Sequence, residues 1–433
     1  MGNVVTASDP GVLLEHLFRR QAGRMVAHLT RLLGPPHLAL AEETVQEAML
    51  RALQTWPYQG VPENAAAWLY RVAHNIAIDA VRRNRALGEK TETIVAELSH
   101  SAAALPDDPH LEEQLRDDEL RMIFMCCHPE IGRDARVALS LKTVGGFGVR
   151  EIARAFLADD AAIAQRLVRA KRQIRDGHLT LDMPRGPELK QRLDSVLEVL
   201  YFMFNEGYAA HSGQDLIRRD LCLEALRLGR LVAASSIAEP RVDALVALMA
   251  LEAARLPARV DESGDLILLE HQDRSRWDHC LVALGFRHFD RSIAGDEVSE
   301  YHVQAAIAAT HARAVDPQSR DWPMILDLYD QLLALNGSPV VALNRAVAVA
   351  KVRGPAEALA AIQPLVNDPK LRGYYLLLAV RGHLLLELGR PAEAAACFRA
   401  ALDCPCSEPE RRFLRRKLLA CEGGRIPGPT EDA

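Results

Sequence analysis

Residues 148–175, GVREIARAFLADDAAIAQRLVRAKRQIR, decide how the chain is read. Glu151 to Phe156 make a short helix with Ile152, Ala153 and Phe156 facing inward; Leu157 to Asp160 supply a turn, with Asp159 or Asp160 as N-cap of the next helix. In that helix Ile163, Leu167, Ala170 and Ile174 recur at spacings of four, three and four, which makes one buried stripe. Arg166, Arg169, Lys171, Arg172 and Arg175 are left on the outer surface. Alone, a basic helix reads most simply as a solvated face. Preceded by a short helix and a tight turn, it reads as the second helix of a helix-turn-helix, offering guanidinium groups to base edges and phosphates.

Composition bounds the rest. The 433 residues are 49% hydrophobic and 25% charged, which indicates a soluble, globular chain of two to four domains. Aromatics are only 5%, Ala and Leu dominate, and Val/Ile alternation is scarce, so the expected fold class is all-α. No run of about eighteen apolar residues is present and no basic-then-apolar leader opens the chain, so a cytoplasmic protein without membrane contact is expected. Eight cysteines without a regular framework, two of them adjacent (Cys126, Cys127), read as reduced thiols. A net charge of −6 argues against a surface that coats nucleic acid; the basic residues are concentrated on particular helices.

The chain divides into four segments. Residues 10–87 form one helical unit: a helix toward Leu33, a break at Gly34-Pro35-Pro36, a helix from His37 to Leu53, a loop Trp56–Pro62, and a third helix from Pro62 to Arg85. Residues 88–115 lose periodicity and are polar, acidic and Pro-containing, which predicts a flexible linker. Residues 116–180 are a second helical unit ending in the helix-turn-helix, and beyond Pro184 the chain is again helical. In the third helix Ala65, Trp68, Leu69, Val72 and Ile76 make a buried side, while Arg71, Asn75, Ile78 and Arg82 share another stripe near Arg83 and Arg85. Such a face can bind a nucleic-acid backbone and read bases, and the Trp56-Pro57-Tyr58 loop could receive an unstacked base. Trp68 reads most easily as core and Tyr58 as a loop anchor.

QEAMLRALQTW (46–56), WLYRVAHNIAIDAVRR (68–83), an acidic linker and the 148–175 motif together resemble a sigma-70 family sigma factor of the extracytoplasmic-function (group four) type over residues 10–180. The resemblance implies that domain 2 (10–87) grips the clamp of core RNA polymerase and melts the −10 element of promoter DNA. It implies that domain 4 (116–180) reads the −35 element and rests on the polymerase flap. Glu42, Glu43, Gln46 and Arg51 then fall on the clamp-contacting helix, where Ala39-Leu40-Ala41-Glu42-Glu43 lacks one acid of the family's Asp-x-x-Glu-Asp pattern. Trp56 and Tyr58 fall at the base-capturing loop; Arg71, Asn75, Asp79, Arg82 and Arg83 fall on the helix facing the −10 strand, with Asp79 equally a structural acid beside an arginine. Ala161, Ala162, Gln165, Arg166 and Arg169 match the face near the −35 bases, and Lys171, Arg172 and Arg175 the phosphates. The acidic linker, with Asp107, Asp108, Glu112 and Glu113, would thread the RNA exit path; an ordinary solvated linker is the alternative.

The C-terminal half is the unusual part. RGPAEALAAIQPL (353–365) aligns with GRPAEAAACFRAAL (389–402) at a period near 36, so residues 291–420 read as tetratricopeptide-like helical repeats. Gly382, Ala394, Phe398 and Ala401 take the small and aromatic packing positions, matched by Ala346, Ala358 and Ile362; an earlier degenerate unit runs near Trp322, Leu326 and Tyr329. Residues 186–290 resemble the helical domain that comes after domain 4 in sigma factors with such extensions, which implies that the C-terminal half regulates the sigma core through a partner protein or an intramolecular contact. Residues 421–433 read as a disordered tail. Glu206, His211, Asp220 and His271 match no ligand spacing, and Gly145–Gly148 is a turn between helices, not a phosphate loop; no metal, cofactor or enzymatic activity is expected. An ordinary helix-turn-helix regulator with a repeat sensor, or a helical scaffold without DNA contact, are the competing readings.

Overall fold

The computed structural model describes residues 10–83, 91–103, 109–156, 158–208 and 217–423. Their architecture is all-α, with no strand beyond an isolated bridge between Val260 and Leu266. The chain divides into two compact units, Met1–Val199 and Leu200–Ala433.

The first unit is built on α1 (Pro10–Leu33). A 3-10 turn at Pro35–His37 leads to α2 (Leu38–Gln59), then α3 (Ala65–Arg83), α4 (Thr91–Ala103), α5 (Pro109–Cys126), α6 (Arg133–Thr143), α7 (Val149–Phe156), α8 (Asp160–Asp176) and α9 (Pro187–Tyr208), whose residues up to Val199 belong to this unit. Helix α1 packs against each of α2 to α6. Charge placement explains why. Asp118 and Glu119 of α5 are 2% and 1% exposed, and a buried carboxylate is costly unless a cation meets it. Helix α1 supplies the partners: Asp118 accepts from His28 Nδ1 at 2.8 Å and from the Arg31 guanidinium Nε at 2.9 Å, and the Arg24 guanidinium lies 3.5 Å from Glu119.

Two expectations for this region are corrected. The flexible linker of residues 88–115 contains α4, and α5 begins at Pro109. Ile94 and Leu98, spaced four apart on α4, are buried, and Ser101 hydrogen-bonds both His28 (2.7 Å) and His74 (3.2 Å). Polar composition hid a helix anchored by few residues. Asp107 and Asp108 lie outside the described residues, as do the side chain of Glu112 and the position of Leu157 in the expected turn; Glu113 is exposed. The expected loop from Trp56 is also helical as far as Gln59, because Trp56 is buried edge-on against Trp68, with ring centroids 5.4 Å apart. Gly60, at φ +83°, ends that helix through its N–H to Trp56 O.

The second unit runs through α10 (Arg219–Ala233), α11 (Pro240–Ala253), α12 (His279–Ser292), α13 (Glu300–Arg313), α14 (Trp322–Asn336), α15 (Pro339–Arg353), α16 (Pro355–Ile362), α17 (Tyr375–Glu387), α18 (Pro391–Leu402) and α19 (Glu408–Cys421). From α13 onward each helix packs on the next. Ala346, Ala358, Ile362, Ala394, Phe398 and Ala401 are buried, as the internal repeat predicts, and a Cβ on Gly382 would come within 2.9 Å of the Phe398 ring. Residues 424–433 of the expected tail lie outside the described residues.

If α4 is a packed helix and not a tether, Leu98→Ala leaves a cavity. The full chain should lose about 2–5 kcal/mol in denaturant unfolding, where a surface change in a linker costs next to nothing.

Candidate nucleic-acid interface

Helices α3 and α8 carry exposed basic faces backed by core. On α3, Arg71, Asn75, Asp79, Arg82 and Arg83 are all exposed, a stripe at helical spacing. Ile78, expected on that stripe, is buried at 9% exposure, so the stripe is narrower and wholly polar. The opposite face is broader than expected: Tyr70 and His74 join Leu69 and Ile76 inside, while Trp68 and Val72 are half-buried. The Arg83 Nε–H donates to the backbone carbonyl of Asp79 at 3.1 Å. Tyr58 stands 89% exposed, free to stack on a planar ligand. Trp56 does not share that role: at 4% exposure its ring belongs to the core, which removes it from the expected set.

On α8 the expected stripe of Ile163, Leu167, Ala170 and Ile174 is buried. Ala161, Gln165, Arg169, Arg172 and Arg175 are exposed, Ala162 and Arg166 half-buried. Three of these arginines are held in place by acids: Arg166 lies 3.9 Å from Asp134, and Arg172 and Arg175 each reach Asp176 at 3.0 Å. Hydrogen bonds from Arg172 and Arg175 hold the Asp176 carboxyl below the usual carboxylate range. Arg166, Arg169 and Arg172 line a groove of about 660 Å³ whose other wall is Gly132, Arg133 and Asp134 at the start of α6. Sequence reasoning missed Arg133, which joins this basic surface only because α6 packs across α8.

The residues of α2 expected to meet the polymerase clamp separate. Glu43, Gln46 and Arg51 are exposed, with Arg51 3.1 Å from Glu47. Glu42 is 7% exposed and ion-pairs with Lys171 of α8, which is itself half-buried. Two residues expected to meet different partners are therefore each other's partner.

His74 sits behind the α3 basic face. Burial lowers its pKa to about 4, its Nδ1–H donates to Tyr70 O at 2.8 Å, and Nε2 is left to accept from Ser101. Burial pushes the thiols of Cys126 and Cys127 up, the latter to about 11, which suits inert, reduced core residues. In the second unit, sequence reasoning missed a largely half-buried polar cluster. Glu252 pairs with Arg255 at 2.9 Å, Arg259 lies over the Tyr208 ring, and Arg274 lies over Trp277 while donating to the carbonyls of His311 and Ala312. These arginines cap carbonyls and cover rings. His211, weighed with Glu206, Asp220 and His271 as a ligand set, lies outside the described residues, and among the described residues no three His, Cys, Asp or Glu side chains are gathered to hold a metal. No described helix is long and apolar enough to cross a membrane.

Residues 17–87 match the sigma-70 region 2 family, and residues 192–293 match a family of unknown function, DUF6596. The chain is 41% identical over 390 residues to the uncharacterized protein R00370 of Rhizobium meliloti, covering 89% of this chain and 91% of that protein. It is 30% identical over 160 residues to the probable RNA polymerase sigma factor RfaY of Xanthomonas campestris, covering 36% of each. It is 27% identical over 134 residues to the ECF RNA polymerase sigma-E factor of Escherichia coli K12, covering 30% of this chain and 70% of the other. No solved structure matches.

The buried face of α3 has a measurable pH signature. With a folded pKa near 4 against 6.5 in the unfolded chain, the neutral His74 gives its full contribution above pH 6.5 and loses it as pH falls toward 4. At pH 5 the loss is up to about 2 kcal/mol from this residue. His311 in the second unit, lowered to about 4, acts in the same direction. Urea unfolding at pH 7 and pH 5 should show lower stability at pH 5, and His74→Gln should flatten that slope; an unchanged slope contradicts the assignment.

Proposed function

We propose, from the premise that this chain belongs to the family of the Rhizobium meliloti protein R00370 and carries a sigma-70 region 2, that it is an alternative sigma factor directing promoter-specific initiation by core RNA polymerase. The observation that carries this reading is the pair of polar, arginine-bearing faces on α3 and α8, each backed by its own buried stripe. A single duplex reader needs one such face. A subunit that holds one element as duplex and another as an opened strand needs two.

In this reading Arg71, Asn75, Arg82 and Arg83 bind the −10 strand, with Tyr58 stacking on an extruded base. Helices α7 and α8 act as a helix-turn-helix: Gln165, Arg166 and Arg169 reach −35 base edges, and Arg172 and Arg175 the phosphates. Glu43, Gln46 and Arg51 meet the polymerase clamp, joined by Glu42 once it is free of Lys171. The second unit regulates this core through tetratricopeptide-like repeats, and an apolar groove of about 280 Å³ lined by Trp322, Val380 and Phe398 lies in that unit. A helix-turn-helix regulator that binds duplex without initiating is the other outcome of the same experiment.

Reconstitution with core polymerase on promoter DNA provides the test. The full chain should support initiation from promoters that core alone ignores. Arg166→Ala should weaken −35-dependent binding by about 1–3 kcal/mol. Asn75→Ala should reduce strand opening, read by permanganate reactivity, while leaving duplex binding nearly intact. Duplex binding without initiation contradicts the proposal.

A further inference from the structure

We propose that the groove among α14, α15, α17, α18 and α19 binds a small amphipathic anion, an apolar chain ending in a carboxylate, with Arg320 holding the charged end. The site lies wholly in the second unit and goes beyond the sigma factor reading, on which it does not depend.

Size and lining come first. The groove holds about 280 Å³. That is near the lower end of the usual small-molecule range of roughly 300–1,000 Å³. Its walls are apolar: Trp322 of α14, Val347 of α15, Leu376 and Val380 of α17 and Phe413 of α19 line it. None of these five is fully buried, so an apolar chain laid along them removes hydrophobic surface from water on both sides of the contact.

Charge placement decides the ligand class. Arg320, Lys351, His383 and Lys417 also line the groove. Two of them are answered by acids of the same lining: Lys351 reaches Glu270 at 3.2 Å, and His383 lies 3.4 Å from Glu387. Lys417 holds its ammonium 5.5 Å from the centre of the Phe413 ring and makes no ion pair among the described residues. Arg320 is the decisive group. It is 7% exposed, spends one N–H on the Leu269 carbonyl at 2.9 Å, and keeps its Nε–H buried without a hydrogen-bond partner. Burial, and after it the guanidiniums of Arg255 and Arg274, lower its pKa. Glu270, the acid that offsets them, is the one already paired with Lys351. A buried cation with an unmade hydrogen bond is costly. A carboxylate placed against it supplies the acceptor and the opposite charge together. A neutral head leaves the charge unmet, and a cationic head adds repulsion.

Calorimetric titration of the full chain with decanoate, below its micelle concentration, tests the site. Decanoate should bind with a stoichiometry of one per chain, decanol about tenfold more weakly or worse, and decyltrimethylammonium not detectably. Lengthening the carboxylate from hexanoate to decanoate should tighten binding by up to about fourfold per methylene. Arg320→Gln should weaken decanoate by about tenfold or more. Val380→Trp, which fills the apolar part of the groove and leaves the charged groups in place, should abolish binding. Should Arg320→Gln misfold, Lys417→Glu on the same lining should weaken decanoate several-fold. Uptake that follows chain length and ignores head charge, binding that survives both Arg320→Gln and Val380→Trp, or no binding at all overturns the proposal. A chain that binds decanoate as described and never initiates with core polymerase supports this site and contradicts the sigma factor reading alone.

Discussion

Two adjacent buried carboxylates, Asp118 and Glu119 of α5, fix the arrangement of the first unit. In a low-dielectric interior each needs a cation, and α1 presents Arg31 to Asp118 and Arg24 to Glu119, with His28 a further hydrogen-bond donor to Asp118 on the same face. Docking α5 on α1 commits the later helices. α6 comes to rest where Gly23 meets Val144, and α8 where Lys171 meets Glu42. Segments that read as two modules on a tether are thus a single packed body in the free chain.

The helices themselves are visible in the sequence because their packing is local. The Ile163–Leu167–Ala170–Ile174 stripe, the stop at Gly34-Pro35-Pro36 and the paired Ala and Gly positions of the C-terminal repeats all arise from spacing along one helix or between neighbours. Long-range burial is what spacing cannot show. Helix α4 has few apolar anchors and becomes a helix because α1 and α3 receive it. Pro57 resembles a loop residue, yet the buried Trp56 keeps that last turn helical. Lys171 and Glu42 are 129 positions apart, and nothing in either neighbourhood marks the other. The functional faces were legible in the same measure: the exposed arginines are set by periodicity, whereas the occupied state of Lys171 and the burial of Trp56 depend on contacts between elements.

Labour is divided within each helix. α3 and α8 commit one face to the core and leave the other to polar and charged side chains, so a ligand on the outer face would not compete with the fold. The second unit has its own core and its own half-buried charge cluster around Glu252 and Arg255.

The central claim is that the buried Asp118 and Glu119 dock α5 on α1 and so fix the first unit. Hydrogen exchange of the full-length Arg31→Ala variant tests it most directly, because that change strips Asp118 of its guanidinium. The account predicts faster exchange in α1 and α5 with the second unit unchanged. Unaltered exchange in α1 and α5 would contradict it.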